Sequence, residues 1–214
     1  MRSPTGAFVV FEGGDGVGKT TQVDLLCAWL SEHGYEVVRT FEPGDSTVGA
    51  AIRRIVLDPA TGEMSPRAEA LLYAADKAQH LYAVVEPALR RGAVVVCDRY
   101  VDSMLAYQGA GRVLALEEVE QVARWATGNL RPHLTVVLDT EPERAVHAKA
   151  DLDRLEAAGA LFHERARQFF LELAAREPEY YLVLDARAAR EEIAVRVVER
   201  LAPLLSALAA TIEA

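Results

Sequence analysis

The sequence predicts an α/β fold, a doubly wound three-layer sandwich around a five-stranded parallel sheet. Three observations carry that expectation. Short β-rich runs alternate with long helical stretches along the 214 residues. The runs are apolar enough to be covered on both faces, as the strands of a parallel sheet are. A glycine-rich turn, Gly13-Gly14-Asp15-Gly16-Val17-Gly18, joins the first run to the first helical stretch, as a ligand-binding strand-to-helix turn requires.

The elements follow in order. Ala7 to Glu12 is the first strand, and Lys19 to His33 a helix whose Val23, Leu25, Leu26, Trp29 and Leu30 suit one buried stripe. Tyr35 to Phe41 is the second strand, followed by helices from Thr47 to Leu57 and from Arg67 to Arg91. Ala93 to Cys97 forms the third strand and Leu116 to Thr127 the next helix. Thr135 to Asp139 and Tyr180 to Leu184 complete the sheet, separated by helices at Pro142 to Ala148 and Ala160 to Arg176. The alanine-rich stretch from Ala189 to Ala210 suits an amphipathic covering helix. No linker, repeat or low-complexity stretch divides the chain, so residues 1–214 read as a single domain.

Composition excludes several classes of partner. A net charge of −9 leaves no basic surplus to neutralise a nucleic-acid polymer or an anionic membrane, so phosphate binding has to be local. Cys27 and Cys97 lie in a helical and a strand-like run and suit buried thiols of a reduced compartment. There is no signal-peptide pattern and no apolar run near the ~20 residues of a membrane span. A soluble cytoplasmic protein is expected.

Gly13 to Thr20 fits G-x-x-x-x-G-K-[ST] at every fixed position. Its glycines let backbone N–H groups turn in on phosphates, Lys19 reaches β- and γ-phosphates, and the Thr20 hydroxyl suits Mg²⁺. Gly13, Gly14, Asp15, Gly16, Val17, Gly18, Lys19, Thr20 and Thr21 are therefore the expected nucleotide-binding residues. A strand-to-helix turn with no ligand is the bland alternative. Asp98-Arg99-Tyr100 directly follows the third strand. A carboxylate there, beside the glycine-rich turn, is placed to hold Mg²⁺, with Arg99 directed at the same phosphates. The competing reading is an ordinary surface ion pair. His33, His80, His133, His147 and His163 show no shared ligand spacing, so Mg²⁺ delivered with ATP is the only metal expected.

The P-loop spelled Glu12-Gly-Gly-Asp15-Gly-Val-Gly-Lys19-Thr20-Thr21 is joined by Glu42-Pro43-Gly44, Asp98-Arg99-Tyr100, Ala106-Tyr107-Gln108-Gly109-Ala110-Gly111-Arg112 and Asp153-Arg154-Leu155-Glu156. Together these resemble the bacterial thymidylate kinases, P-loop nucleoside monophosphate kinases, over Phe8 to about Asp185. The resemblance implies ATP-dependent phosphorylation of dTMP to dTDP, a homodimer, and a short lid at about residues 141–156. It implies catalytic roles for Lys19, Arg99, Arg154 and Asp15, the last accepting a hydrogen bond from the acceptor's 3′-hydroxyl. It implies metal ligation by Thr20 and Asp98. It also implies an acceptor site built from Glu42, Pro43, Tyr73, Lys77, Arg99, Ser103, Tyr107, Gln108 and Arg112. There Tyr73 would stack on the base and Tyr107 would exclude a ribose 2′-hydroxyl. Gln108 would read a pyrimidine edge, and Arg112 would meet the acceptor phosphate. Tyr73 and Tyr107 also suit plain core positions.

Three departures stand out. Phe41 stands where the family's Thr-Arg-Glu-Pro-Gly has arginine, which removes an expected cation near the acceptor. Where the family reads Ala-Asp-Arg, the chain reads Ala74-Ala75-Asp76-Lys77, so a guanidinium fork becomes a point charge. The lid carries only Arg144, His147 and Lys149 before Arg154. These losses leave open a kinase for another or modified pyrimidine monophosphate, and, outside the enzymes, a degenerate nucleotide-binding protein.

Overall fold

In the computed structural model, which describes residues 6–110, 114–141 and 159–213, five strands run parallel. They are β1 (Phe8–Gly13), β2 (Val37–Phe41), β3 (Val94–Asp98), β4 (Leu134–Asp139) and β5 (Tyr181–Asp185). Their order is β2-β3-β1-β4-β5. β1 lies in the middle, in register with β3 through Phe11 and Asp98 and with β4 through Gly13 and Leu138. The crevice outside the carboxyl end of a central strand, where connections diverge to either side, is where such sheets bind ligands.

Alternate side chains leave the sheet on opposite faces, and in the inner strands β1, β3 and β4 both faces are buried, which accounts for their apolar sequences. The edge strands β2 and β5, expected to be covered on both faces, are instead partly exposed. Val9, Phe11, Val94, Val96, Leu134, Val136 and Leu138 meet Val23, Leu26 and Leu30 of α1 (Lys19–Glu32) and Ile193, Val197 and Leu201 of the last helix, Arg190–Glu213. Phe8, Val10, Val95 and Cys97 face the other way, onto Leu81, Val85 and Leu89. A third cluster packs α2 (Thr47–Leu57), α3 (Pro66–His80) and the helices that follow β3 and β4. Ser46 and Ser65 cap α2 and α3 by accepting from Gly49 N and Ala68 N, and Pro66 opens α3 where its missing N–H costs nothing.

Strand and helix positions match the expected ones to within a few residues, with two differences. The long helix expected from Arg67 to Arg91 is α3, a π-helical turn at Leu81–Val85 and a short α4, Glu86–Arg90. Pro87 has no N–H and its ring would crowd the carbonyl four residues back, so the ladder shifts by one residue before it. The second difference is α5 (Val101–Met104), running into a π-helical segment at Leu105–Ala110, which the sequence left without an element. A Cβ on Gly109 would lie 2.9 Å from Leu116 Cδ1, so the glycine that disguises this segment is there for packing. α6 (Leu116–Thr127) and α7 (Ala160–Arg176) have the expected bounds. The expected helix at Pro142 to Ala148 lies outside the described residues. Among the described residues no helix is long and apolar enough to cross a membrane.

Gly13, at the end of β1, has φ +129° and passes so near β4 that a Cβ would sit 2.4 Å from the Leu138 carbonyl oxygen. Gly13→Ala should therefore cost at least about 2 kcal/mol through strained backbone and forced separation of β1 from β4. At roughly 2–4 °C per kcal/mol for a chain of this size, calorimetry should show a fall of about 4–8 °C in Tm. A variant melting with the wild type would contradict the close approach.

Candidate functional site

The glycine-rich turn lies where the sheet delivers it, between the end of β1 and α1. Gly16 and Gly18 have φ of +72° and +96°, conformations that L side chains rarely adopt. Val17, expected among the nucleotide-binding residues, turns its side chain into the core beside α1, so only its backbone is available to a ligand. Gly18 precedes α1, and among the described residues no side chain caps that helix and no acidic residue occupies its first turn. Its first N–H groups thus remain for an anion. The Lys19 ammonium, 6% exposed, donates to the Gly13 carbonyl at 3.1 Å and the Gly14 carbonyl at 2.6 Å. Burial, with Arg99 nearby, lowers its pKa to about 8. Thr21 is exposed on α1.

Backbone hydrogen bonds gather the strand ends into one rim: Arg99 N donates to Phe11 O and Glu42 N to Asp98 O. Thr20 Oγ1 donates to Asp98 Oδ2 at 3.2 Å, so the two expected metal ligands are adjacent. A hydroxyl and a carboxylate are hard oxygen donors, and the pair fits Mg²⁺. Among the described residues no cluster of three or more His, Cys, Asp or Glu side chains could hold a metal by itself.

Arg99 is the junction of the site. Its backbone has φ +71°, unusual for a residue with a side chain. The guanidinium donates to Asp15 Oδ1 at 2.7 Å and Ser103 Oγ at 3.0 Å, and lies 5.4 Å from the centroid of the Tyr107 ring. Arg99 therefore points toward Asp15 and Tyr107, more than at the glycine-rich turn alone. Burial opposes the charge, but the Tyr107 hydroxyl and the carboxylates of Asp15, Glu12 and Asp98 outweigh it and raise the pKa well above the ordinary value. Burial would likewise raise the Asp15 carboxyl, yet Arg99 and Lys19 bring it down to about 2.

Beneath Arg99 lies Glu12, completely buried and assigned no role from sequence. Its Oε1 accepts from Tyr100 N at 2.9 Å and Ser103 N at 3.1 Å, and Oε2 accepts from Ser103 Oγ at 2.6 Å. Glu12 thus ties the first strand to the start of α5. Burial and the Asp102 carboxylate raise it to about 7.

A cleft beside Arg99 is lined by Asp15, Glu42, Pro43, Tyr73, Lys77, Ser103, Tyr107 and Gln108, all expected in an acceptor site, and by Arg53, Leu57 and Met104, which were not. Tyr107 stacks on Phe162 with ring centroids 5.7 Å apart, so its ring is fixed by packing. Gln108 Nε2 donates to the buried Glu69 at 3.1 Å. Lys77 departs from expectation, since two of its donors are already engaged: Nζ lies 2.5 Å from Glu42 Oε2 and 2.8 Å from the Tyr100 carbonyl. Glu42 also meets His80 Nδ1 at 2.7 Å, and His80 Nε2 lies 2.6 Å from Thr40 Oγ1. Burial acts to raise Glu42, but Lys77 and His80 hold it below the usual range. Asp76 accepts from Gly44 N at 3.0 Å, and burial with Glu42 beside it pushes it up to about 6.

A cation not expected from the sequence, Arg53, stands beside Phe41. Its guanidinium reaches from α2 into the cleft, donates to the Pro43 carbonyl at 2.6 Å and lies 5.5 Å from the Phe41 ring centroid. No fixed spacing links it to the motifs, so only the helical register of α2 could have signalled it. Arg167 was also missed; it grips Asp139, at the end of β4, with two hydrogen bonds of 2.7 and 3.0 Å. Arg112, the 142–156 part of the expected lid, Arg154, and the lid's Arg144, His147 and Lys149 lie outside the described residues.

A family model described as Thymidylate kinase matches residues 11–197. The thymidylate kinase of Cutibacterium acnes is 58% identical over 201 residues, covering 94% of this chain and 98% of its own. That of Clavibacter michiganensis subsp. michiganensis is 54% identical over 207 residues, covering 95% and 98%. The crystal structure of thymidylate kinase from Ehrlichia chaffeensis superposes with a TM-score of 0.77 at 26% identity, over 92% of this chain and 98% of that one.

Glu12 makes a pH test. Its folded pKa of about 7 lies above the ordinary 4.5, so the protonated form is favoured by folding. That contribution is full below pH 4.5 and is lost as pH rises through 7, an effect on the order of 3 kcal/mol. Glu12→Gln removes the titration and retains an acceptor for Tyr100 N and Ser103 N. Melting curves from pH 5 to 8 should show the variant gaining on the wild type as pH rises. Parallel pH profiles would refute the assignment.

Proposed function

The chain belongs to the thymidylate kinase family, and from that premise we propose how its own residues phosphorylate dTMP with ATP. The enzyme is a nucleoside monophosphate kinase, converting dTMP to dTDP. The observation that carries the residue-level reading is the meeting of Lys19, Asp15 and Arg99 between the glycine-rich turn and the cleft.

The dTMP phosphate is already an anionic nucleophile, so no general base is needed and catalysis reduces to alignment and charge compensation. A phosphate oxygen of dTMP attacks the γ-phosphorus as the bond to the β-phosphate oxygen breaks and ADP departs. The turn's N–H groups and the α1 N-terminus hold the β-phosphate. Lys19 leaves its carbonyl contacts for the β- and γ-oxygens. Thr20 and Asp98 would hold Mg²⁺, which when bound neutralises phosphate charge. Arg99, oriented by Asp15 and Ser103, bridges donor and acceptor phosphates, and Arg53 gives the acceptor phosphate a second cation. Arg154 and Arg112 are proposed to add positive charge at the transferring group and at the acceptor phosphate.

Selection rests on the cleft. Tyr73 is proposed to stack on the base, Gln108 to read its edge, Asp15 to accept from the 3′-hydroxyl, and Tyr107 to fill the space of a 2′-hydroxyl. Glu42 and Lys77 act mainly through each other, shaping the floor of the cleft with Pro43. A homodimer is proposed through α3 and α6, supported by the groove that exposes Leu71 and Trp125. The proposed compartment is the cytoplasm, where nucleotides and Mg²⁺ are supplied.

A coupled ADP-release assay over dTMP, dUMP, UMP and dCMP tests the reading. Turnover of dTMP should dominate, with dUMP favoured over UMP and Tyr107→Ala admitting ribonucleotides. Equal use of dUMP and UMP by the wild type would end the steric role of Tyr107. Failure to phosphorylate dTMP at millimolar concentration would end the assignment itself.

Lys19→Ala should lower kcat on the order of 10²-fold or more, as expected for removing one preorganised charge, with an unchanged circular dichroism spectrum. Full activity in that variant would exclude the turn from the chemistry.

A further inference from the structure

We propose that Phe41 is a positioning residue whose ring holds the Arg53 guanidinium at the acceptor cleft, an inference that rests on reading the cleft as the dTMP site. Three cations line the cleft, and two are occupied. Lys77 is engaged by Glu42 and the Tyr100 carbonyl, and Arg99 by Asp15 and Ser103. Among the described residues Arg53 makes no ion pair, so its charge is uncompensated where an anionic substrate group would lie.

An arginine reaching from an exposed helix position loses rotamer freedom when it is fixed, and an unanchored one would meet the substrate at that entropic cost. Here the anchoring is built by the last residue of β2 and two residues of the turn that follows it. The Phe41 ring presents its face to the guanidinium at 5.5 Å, and the Pro43 carbonyl accepts from Nη1 at 2.6 Å. Gly44 leaves the side chain room: a Cβ there would lie 2.7 Å from Arg53 Cδ and 3.4 Å from Phe41 Cε2. A planar guanidinium stacks on such a face while keeping its outward N–H donors, which an ammonium could not do as well. The arrangement also explains why an arginine at position 41 is not simply missing. A second guanidinium there would repel Arg53 and remove its platform, so Phe41→Arg should weaken dTMP binding, the reverse of the gain that the family pattern suggests.

The test is a double-mutant cycle read as KM for dTMP beside KM for ATP and kcat. Phe41→Leu should raise KM for dTMP roughly two- to fivefold, the effect of one partly exposed cation–π contact, with KM for ATP and kcat little changed. Phe41→Tyr should restore the wild-type KM. In an Arg53→Gln background Phe41→Leu should have no further effect. Equal increases in both backgrounds, or a Phe41→Tyr enzyme as impaired as Phe41→Leu, would overturn the proposal. If Phe41→Leu proves unstable, Phe41→Met carries the same comparison. An independent readout needs no substrate: the Arg53 Hδ protons should show an upfield ring-current shift in carbon-edited NMR spectra that Phe41→Leu abolishes and Phe41→Tyr retains. Loss of dTMP turnover in the wild type would refute the functional reading, whereas an unshifted Arg53 would refute this one.

Discussion

The site depends on keeping one positive charge, Arg99, in a place where burial works against it. Its guanidinium is half of an ion pair with Asp15 in the glycine-rich turn and donates to Ser103, which in turn donates to Glu12. Three separate parts of the chain, the first strand, the turn after it and the segment after β3, are thereby fixed relative to one another. The backbone at Arg99 takes φ +71° to make the reach, a conformation that persists because the contacts around it over-determine it. A less constrained arginine would still be charged, but it would not hold these three segments in one arrangement.

The same logic explains the second buried network. Glu42, Lys77 and His80 are each at most 3% exposed, and the ion pair between the first two lies under the cleft. Burying two charges recovers little net stability, but removing one partner leaves the other unpaired at a cost of about 3–5 kcal/mol. The pair therefore acts as a constraint on shape. It holds the turn at Glu42-Pro43-Gly44, with Asp76 fixing Gly44 N, and that turn carries both the Pro43 carbonyl and the Phe41 ring on which Arg53 rests. Glu42 and Lys77, which look like ligand-binding groups by their chemistry, are here engaged with each other beneath the turn on which Arg53 rests.

The order of the strands was not needed to place the nucleotide-binding turn. The apolar runs at Val94 to Cys97 and Val136 to Leu138 are legible because burial on both faces leaves no polar alternation. The turn from Gly13 to Thr20 is legible because positive φ and close backbone approach admit only glycine at particular steps. By contrast, the segment Leu105–Ala110 was hidden, since its glycine and polar residues suggest a loop while packing against Leu116 makes it helical. The π turn before Pro87 was hidden because it is a response to one residue in an otherwise helical pattern.

Steric rules and fixed spacing were thus enough to predict the parallel α/β fold and the glycine-rich strand-to-helix turn, while the expected residues of the cleft came from resemblance to a family, and the structure brings most of them together. The partners of charged side chains were decided only by tertiary structure. Whether Lys77 faces the cleft or pairs with Glu42, and whether Arg53 is an unremarkable helix surface residue or a cation of the cleft with no acidic partner among the described residues, depends on contacts across 35 positions in one case and across the β2–α2 turn in the other. Coulomb energy and desolvation depend on distance and burial in space, and neither quantity is written in the spacing of residues along the chain.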